Sequence, residues 1–528
     1  MLRVSDLWIE SNKHIDKSFF QEYNEETGLI KKEKVDYKID ENHYNKMDLK
    51  FYIKEHMPVG SISQAFFRKG QFIYSMLGMS HACGGPHKFP FKASGNPAYG
   101  KNDIYKYDLK ENKWSNLGKL KDIKPQGGMI NWVYNDKFYL LGGYAFQKMN
   151  PDFLEEYKNK YGKWPEKKGE WYSSDLREIT ITEDDKITEK EIPLLMFTNT
   201  IMSHLQIGNK IYFIGGVNGK KQKCWLTSQE LSYYIKDITW KEKISKLGDK
   251  IYLGSILFYL DMENIDEGLQ IESFYPGIPC MNYELIEHNG HIYFFSSHTF
   301  TGSHWSSFRP GERNRLSCPN NWKYNFKTKE WIRLNDWPLR SLCSKKVINV
   351  GDKAFICGGN NAFMETSIDY LKDIDKNFKY FTIDNYKEMI HKIPEKKIIY
   401  KQDNEGRWYC PGDIEPYFRF GSVTNKFSLF NEIDQKNVTS LETIKSYDYF
   451  QHYFSDLIMF YDFNEDNYYF SNHNLPMNIA AVTSKSTTYE NSVYLFGGES
   501  NDILFNKQFP MISSCLVLKI ECDEFNKS

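Results

Sequence analysis

Asp136-Lys137-Phe138-Tyr139-Leu140-Leu141-Gly142-Gly143 decides the fold, because its pattern recurs along the chain. A turn residue leads, apolar residues follow, and two glycines close the run. Copies stand at Asn209-Lys210-Ile211-Tyr212-Phe213-Ile214-Gly215-Gly216, Asp352-Lys353-Ala354-Phe355-Ile356-Cys357-Gly358-Gly359 and Asn491-Ser492-Val493-Tyr494-Leu495-Phe496-Gly497-Gly498. Weaker copies at 71–78 and 290–297 lack the glycine pair. A short apolar run bounded by turn residues reads as a buried strand. Glycines at its end read as a place where another backbone passes too close for a side chain.

A second pattern sets an aromatic residue seven positions after a tyrosine. It occurs as Tyr107…Trp114, Tyr324…Trp331 and Tyr461…Tyr468, and Tyr233…Trp240 has the spacing with a less regular turn. Each reads as two strands joined by a polar hairpin, with the rings on adjacent strands and free to pack between neighbouring sheets. One four-stranded sheet of this kind cannot bury both faces alone. Copies must stack and close into a ring.

The glycine pairs at 142–143, 215–216, 358–359 and 497–498, with the pairs 107/114 and 324/331, resemble the signature of the kelch-repeat family. The resemblance covers about residues 60–528 and implies an all-β propeller with four-stranded blades. Seven blades are expected, near 60–124, 125–198, 199–244, 281–338, 339–394, 395–476 and 477–528. Six or eight are also compatible, since 245–280 reads either as an insertion or as a degenerate blade. The aromatic at Phe51 stands seven residues before Pro58, as Trp331 stands before Pro338. An N-terminal strand within 48–58 is therefore expected to complete the last blade and close the ring. The propeller then spans 48–528, and 1–47 is an appendage.

Composition narrows the function classes. The chain has 528 residues, 68 Lys+Arg against 69 Asp+Glu, and a net charge of -1. Hydrophobic residues make up 41% and charged residues 26%. This balance excludes a wholly disordered chain, a collagen-like chain and a strongly basic nucleic-acid binder. The nine cysteines are scattered, and a chain of this length can bury its core without staples, so reduced thiols and a cytoplasmic location are expected. Met1–Glu10 lacks a signal-peptide apolar stretch. The most apolar run, Ile251–Leu260, is too short to span a bilayer, so no membrane partner is expected.

Chemistry is sought in the loops. Those following the glycine positions are long, at 79–102, 144–173, 298–320, 360–378 and 499–512, and in a propeller they emerge on one face. In the second, Phe153, Tyr157, Tyr161 and Trp164 have helical spacing and read as a short packed helix. In the third, Arg309, Arg313 and Arg315 are three of only ten arginines in the chain. Guanidinium groups recognise carboxylate and phosphate, so these three, with His298, His304 and Trp305, are candidates for holding an anionic ligand; an ordinary ion-pair network tying down the loop is the competing reading.

His81, Cys83 and His87 offer metal-ligand types within seven residues, and His204, His298 or Cys318 could complete a zinc set. Against this, there is no Cys-x2-Cys pair and no His-Glu-x2-His helix. The iron motif of kelch-type nitrile specifiers, Glu-x3-Asp-x3-His, is matched at Asp448 and His452 but has Ile444 where the first carboxylate belongs. No cofactor is required by the sequence, and zinc or iron remain weaker alternatives. No Walker loop, dinucleotide fingerprint or Gly-x-Ser-x-Gly elbow is present.

Kelch-type proteins include scaffolds, ubiquitin-ligase adaptors, oxidases and sugar-processing enzymes, so the fold alone leaves enzymatic activity open. The long-loop face and the lack of a catalytic motif favour a scaffold that binds a protein or peptide in trans. The alternative is an enzyme or receptor for an anionic sugar or other polar metabolite. Glu312, His298 and His304 would then be the acid–base candidates.

Overall fold

A computed structural model of the chain describes residues 47–59, 61–78, 102–144, 173–218, 224–297, 321–335, 345–359, 458–469, 485–498 and 517–525, with 471, 473 and 475. Several short strands beyond these are placed by backbone pairing alone.

The apolar runs before the glycine pairs are each the second strand of a four-stranded antiparallel sheet. Blade 1 holds Ala65–Lys69, Phe72–Met76, Asp103–Asp108 and Lys113–Lys119. Blade 2 holds Ile130–Tyr134, Lys137–Leu141, Leu176–Ile181 and Ile187–Ile192. Blade 3 holds Asn199–Ile207, Lys210–Asn218, Ile256–Asp261 and Gln270–Phe274. Blade 4 holds Tyr283–His288, His291–Ser296, Trp322–Asn325 and Trp331–Arg333. Blade 5 holds Lys346–Val350, Lys353–Cys357, Ile458–Asp462 and Asn467–Ser471. Blade 6 takes Lys485–Tyr489, Ser492–Phe496 and Val517–Glu521 from one end of the chain and Lys50–Ile53 from the other. The protein is a six-bladed β-propeller.

Six is one fewer than the preferred count: the stretches 339–394 and 395–476 share one blade, and 245–280 adds none. Residues 245–280 are neither an insertion nor an eighth blade, because Ile256–Asp261 pairs with the second strand of blade 3 and Gln270–Phe274 follows it. The run 395–476 is not a separate blade either. Its hairpin at 461/468 completes the sheet begun at 346–357, with Cys357 opposite Ile458. The pair Tyr233…Trp240 is not a strand hairpin. It lies on two short helices, Ser228–Tyr234 and Ile238–Ser245, among the described residues. Thr227 and Glu230 form a reciprocal capping box, and Asp237 caps the second helix, so local polar chemistry outweighs the aromatic spacing.

The glycine pairs behave as expected. A Cβ on Gly142 would lie 2.5 Å from Asn199 Oδ1 and 2.7 Å from Asn199 O, on the strand entering the next blade. The adjoining amide uses this closeness, since Gly143 N–H donates to Asn199 O at 2.8 Å. Equivalent bonds run from Gly78 to Gln126 O, from Gly216 to Met281 O and from Gly498 to Ser61 O. Each ties one blade to its successor.

The aromatic hairpins also form. Trp114 stands opposite Tyr107, Trp331 opposite Tyr324 and Tyr468 opposite Tyr461, with ring centroids 4.8, 4.8 and 4.9 Å apart. The indoles reach the preceding blade: Trp114 Nε1 donates to Glu55 O and Trp331 Nε1 to Ser273 Oγ.

The core sits between blades. In Ser492–Phe496, Val493 and Leu495 pack toward blade 5, while Tyr494 and Phe496 pack toward blade 1. Alternating side chains thus fill two interfaces, which explains why the second strands are apolar throughout rather than at every other residue. Lys50–Ile53 runs antiparallel to Val517–Glu521 with Phe51 opposite Ile520, so an N-terminal strand closes the ring. Short strands at Glu22–Tyr23 and Leu29–Lys31 extend that sheet, and Tyr44–Asn45 pairs in parallel with the edge of blade 5.

Candidate functional site

The first strand of every blade is its innermost, and the six surround the axis of the ring. Pairing with the second strand fixes which residues share a level. The residues opposite the last position before the glycine pair, or its counterpart, are Ala65, Ile130, Ser203, Glu284, Lys346 and Lys485. Blades 1 to 3 therefore contribute a methyl, an aliphatic and a hydroxymethyl group. Blades 4 to 6 contribute a carboxylate and two ammonium groups. Because the second strands end here, this level lies toward the face from which the second-to-third-strand connections leave.

Lys346 Nζ is 3.3 Å from Glu284 Oε1, with side-chain exposures of 16% and 22%. Residues of innermost strands keep such exposure only where solvent reaches the axis. Lys485 is half-buried, and its ammonium makes no hydrogen bond or ion pair among the described residues. Burial brings its ammonium down to about 8, repulsion from Lys346 adds to this, and Glu284 opposes it.

One residue along blade 3, the half-buried His204 donates from Nε2 to Asn131 O on blade 2 at 2.9 Å. Burial and then the Lys485 charge lower this imidazole to about 4, so it is neutral at physiological pH. Asn131 Nδ2 donates to Phe66 O at 2.7 Å, which carries the chain of bonds to blade 1. Asn131 Oδ1 is buried and has no hydrogen-bond partner among the described residues.

Of the residues singled out in the sequence, His204 is the one whose side chain is described, and it faces this cluster through its electrostatics. The backbone places others at the bases of the long connections. His81 is opposite Ala98, His298 opposite Ser317, Arg315 opposite Phe300, and Arg313 opposite Ile398. His87, His304, Trp305 and Arg309 lie outside the described residues, as do Cys83, Cys318, Asp448, His452 and the aromatic set at 153–164. Among the described residues no group of three or more His, Cys, Asp and Glu could hold a metal ion. The described cysteines, Cys224, Cys280, Cys357 and Cys522, are buried free thiols. Burial pushes Cys224 and Cys357 up to about 12, far from reactive thiolates. No helix among the described residues is long and apolar enough to cross a membrane.

Sequence reasoning missed Glu284, Lys346 and Lys485, which are separated by tens to hundreds of residues. The signal that finds them is register: each is a charge at the position where the matching strands carry Ala65 or Ile130.

No protein-family model matches the chain, and no curated protein does. A solved structure titled "Structure of YjhT" aligns with 88% of this chain and 96% of its own, at 13% identity and a TM-score of 0.45.

Proposed function

We propose that this protein is a binding propeller of the kelch type, engaging a protein or peptide in trans through the face that bears the second-to-third-strand connections. The observation that carries this reading is how those connections begin. In five blades each opens with a two-stranded ladder: 79–81 with 98–100, 144–145 with 171–172, 225–226 with 251–252, 298–300 with 315–317, and 499–500 with 512–513. A further ladder, Glu312–Arg313 with Ile398–Ile399, joins the connections of blades 4 and 5. Backbone pairing continued above the ring gives one face a built platform, and rigid scaffolds that raise several chain segments on one face are suited to recognition.

The test replaces residues 82–97 and 301–311 by short Gly/Ser linkers. Partners that co-purify with the intact protein from its native source should be lost, with the melting temperature of the ring unchanged. Retention of the same partners by the shortened protein overturns the reading.

A second reading, a receptor or enzyme for an anionic sugar or similar metabolite at the same face, is favoured by the ladders that set His298, Arg313 and Arg315 on paired strands. Arg313→Ala binding such ligands as tightly as wild type would count against it.

A further inference from the structure

We propose that the half of the central opening formed by blades 4, 5 and 6 is a binding site for a single anionic group, a carboxylate or a phosphate, held by Lys485 and Lys346 beside Glu284. The register places these three side chains at one level on three consecutive blades, so they meet at the axis although they are far apart in sequence. Two ammonium groups face one carboxylate. Lys346 takes that carboxylate at 3.3 Å, which leaves Lys485 without an anionic partner among the described residues. His204, neutral and bonded to Asn131 O, does not change the balance.

The opposite half of the level does not compete for the ammonium groups. Ala65 and Ile130 are wholly buried, and Ser203 Oγ already accepts from Tyr283 N–H at 2.6 Å. One residue before Ala65, Gln64 is wholly buried with neither its amide nitrogen nor its amide oxygen hydrogen-bonded among the described residues. Unmade bonds on blade 1 and an unmatched charge on blade 6 therefore stand on neighbouring blades.

A purely structural ring would gain by filling this level with apolar side chains, as blades 1 and 2 do. Half-burying two like charges opposes folding through desolvation and repulsion. An anion reverses both effects, since an opposite charge within a few ångströms favours the ammonium form of Lys485. Low-dielectric walls around the opening concentrate the positive potential on what enters. The site is open to two sources of the same chemistry: a free small anion, or an acidic side chain of a bound segment. The inference holds whether or not the loop face carries a partner.

The experiment reads the reactivity of Lys485, because only the neutral amine is acylated. The full-length protein is treated at pH 8 with an amine-acetylating reagent, and modification of Lys485 and of the exposed Lys110 is followed by mass spectrometry. Four additions are compared at matched ionic strength: potassium chloride, inorganic phosphate, succinate, and an N-acetylated hexaglutamate peptide. Phosphate, succinate or the peptide should slow acetylation of Lys485 by about fivefold, the fall in its neutral fraction at pH 8 when its pKa rises from about 8 to about 9, and leave Lys110 unchanged. Protection by the peptide at much lower concentration than by succinate assigns the anion to a chain segment; the reverse assigns it to a free small molecule. Glu284→Gln, which frees Lys346, should deepen the protection, and Lys346→Met should weaken it. Equal acetylation under all four conditions, or protection by chloride as strong as by phosphate, overturns the proposal. Protection should persist when residues 82–97 and 301–311 are replaced by linkers, which separates this site from the partner-binding face.

Discussion

Gly142 has φ +71° and would set a methyl group 2.5 Å from Asn199 Oδ1 and 2.7 Å from a backbone oxygen that cannot retreat. Gly70, in a hairpin turn, has φ +59° but open space around it. Both pay for a left-handed backbone when replaced by alanine, about 1–2 kcal/mol, and only Gly142 adds a collision with the neighbouring blade. Gly142→Ala should therefore lower the urea midpoint substantially more than Gly70→Ala; equal shifts would show that the glycine pair serves the turn and not the blade contact. His204 permits a test by pH. Its pKa falls from 6.5 to about 4 on folding, so the unfolded chain binds its proton first as the solution is acidified. Its contribution is present above pH 6.5 and is lost as pH falls toward 4, by ~3 kcal/mol in all. Depressed carboxylates such as Asp108 and Glu178 act lower in pH and are shared by wild type and variant. His204→Gln should hence show a shallower fall of unfolding free energy between pH 6.5 and 4. Parallel curves would contradict a neutral buried imidazole.

At the scale of the element, ring closure rests on four residues from the far end of the chain. Phe51 is 2% exposed and packs with Phe355, Leu495, Leu518 and Ile520 between blades 5 and 6. Phe51→Ala should destabilise by about 3–5 kcal/mol, whereas Lys50→Ala, on the solvent side of the same strand, should stay within about 0.5 kcal/mol. A similar small loss for both, measured by denaturant unfolding, would mean that the ring holds without its closing strand. This strand was legible because its aromatic-to-proline spacing repeats that of Trp331 and Pro338. The hairpins were legible for a related reason: rings seven apart stand directly opposite each other across a four-residue turn, as Tyr107 and Trp114 do. The same spacing at Tyr233 and Trp240 misled, and the Thr227–Glu230 capping box is the local signal that outweighed it. The charged level of the axis stayed hidden because no local pattern joins Glu284, Lys346 and Lys485. Only the alignment of three strands to their neighbours brings them together.

At the scale of the whole molecule, the blade count turned on how far apart two halves of one sheet can lie in sequence. About a hundred residues separate Cys357 from Ile458, yet these are paired neighbours in blade 5. Closing a flexible loop costs entropy only logarithmically in its length, so a sheet can accept such an insertion where five backbone pairs and two apolar interfaces reward closure. The insertion is also tied outward, by the ladder between Ile398–Ile399 and Glu312–Arg313 of blade 4. These facts set two energies against each other. Replacing 360–457 by a linker of about a dozen residues removes that short ladder but relieves ~2 kcal/mol of closure entropy, from the roughly eightfold shortening. The core packed by the described residues between the blades contains none of the replaced positions. The shortened protein should therefore unfold in one cooperative step at a melting temperature equal to or above that of the full chain. A clear fall in melting temperature, or two separate transitions, would mean that the insertion packs as part of the ring and that six blades do not suffice to hold it closed.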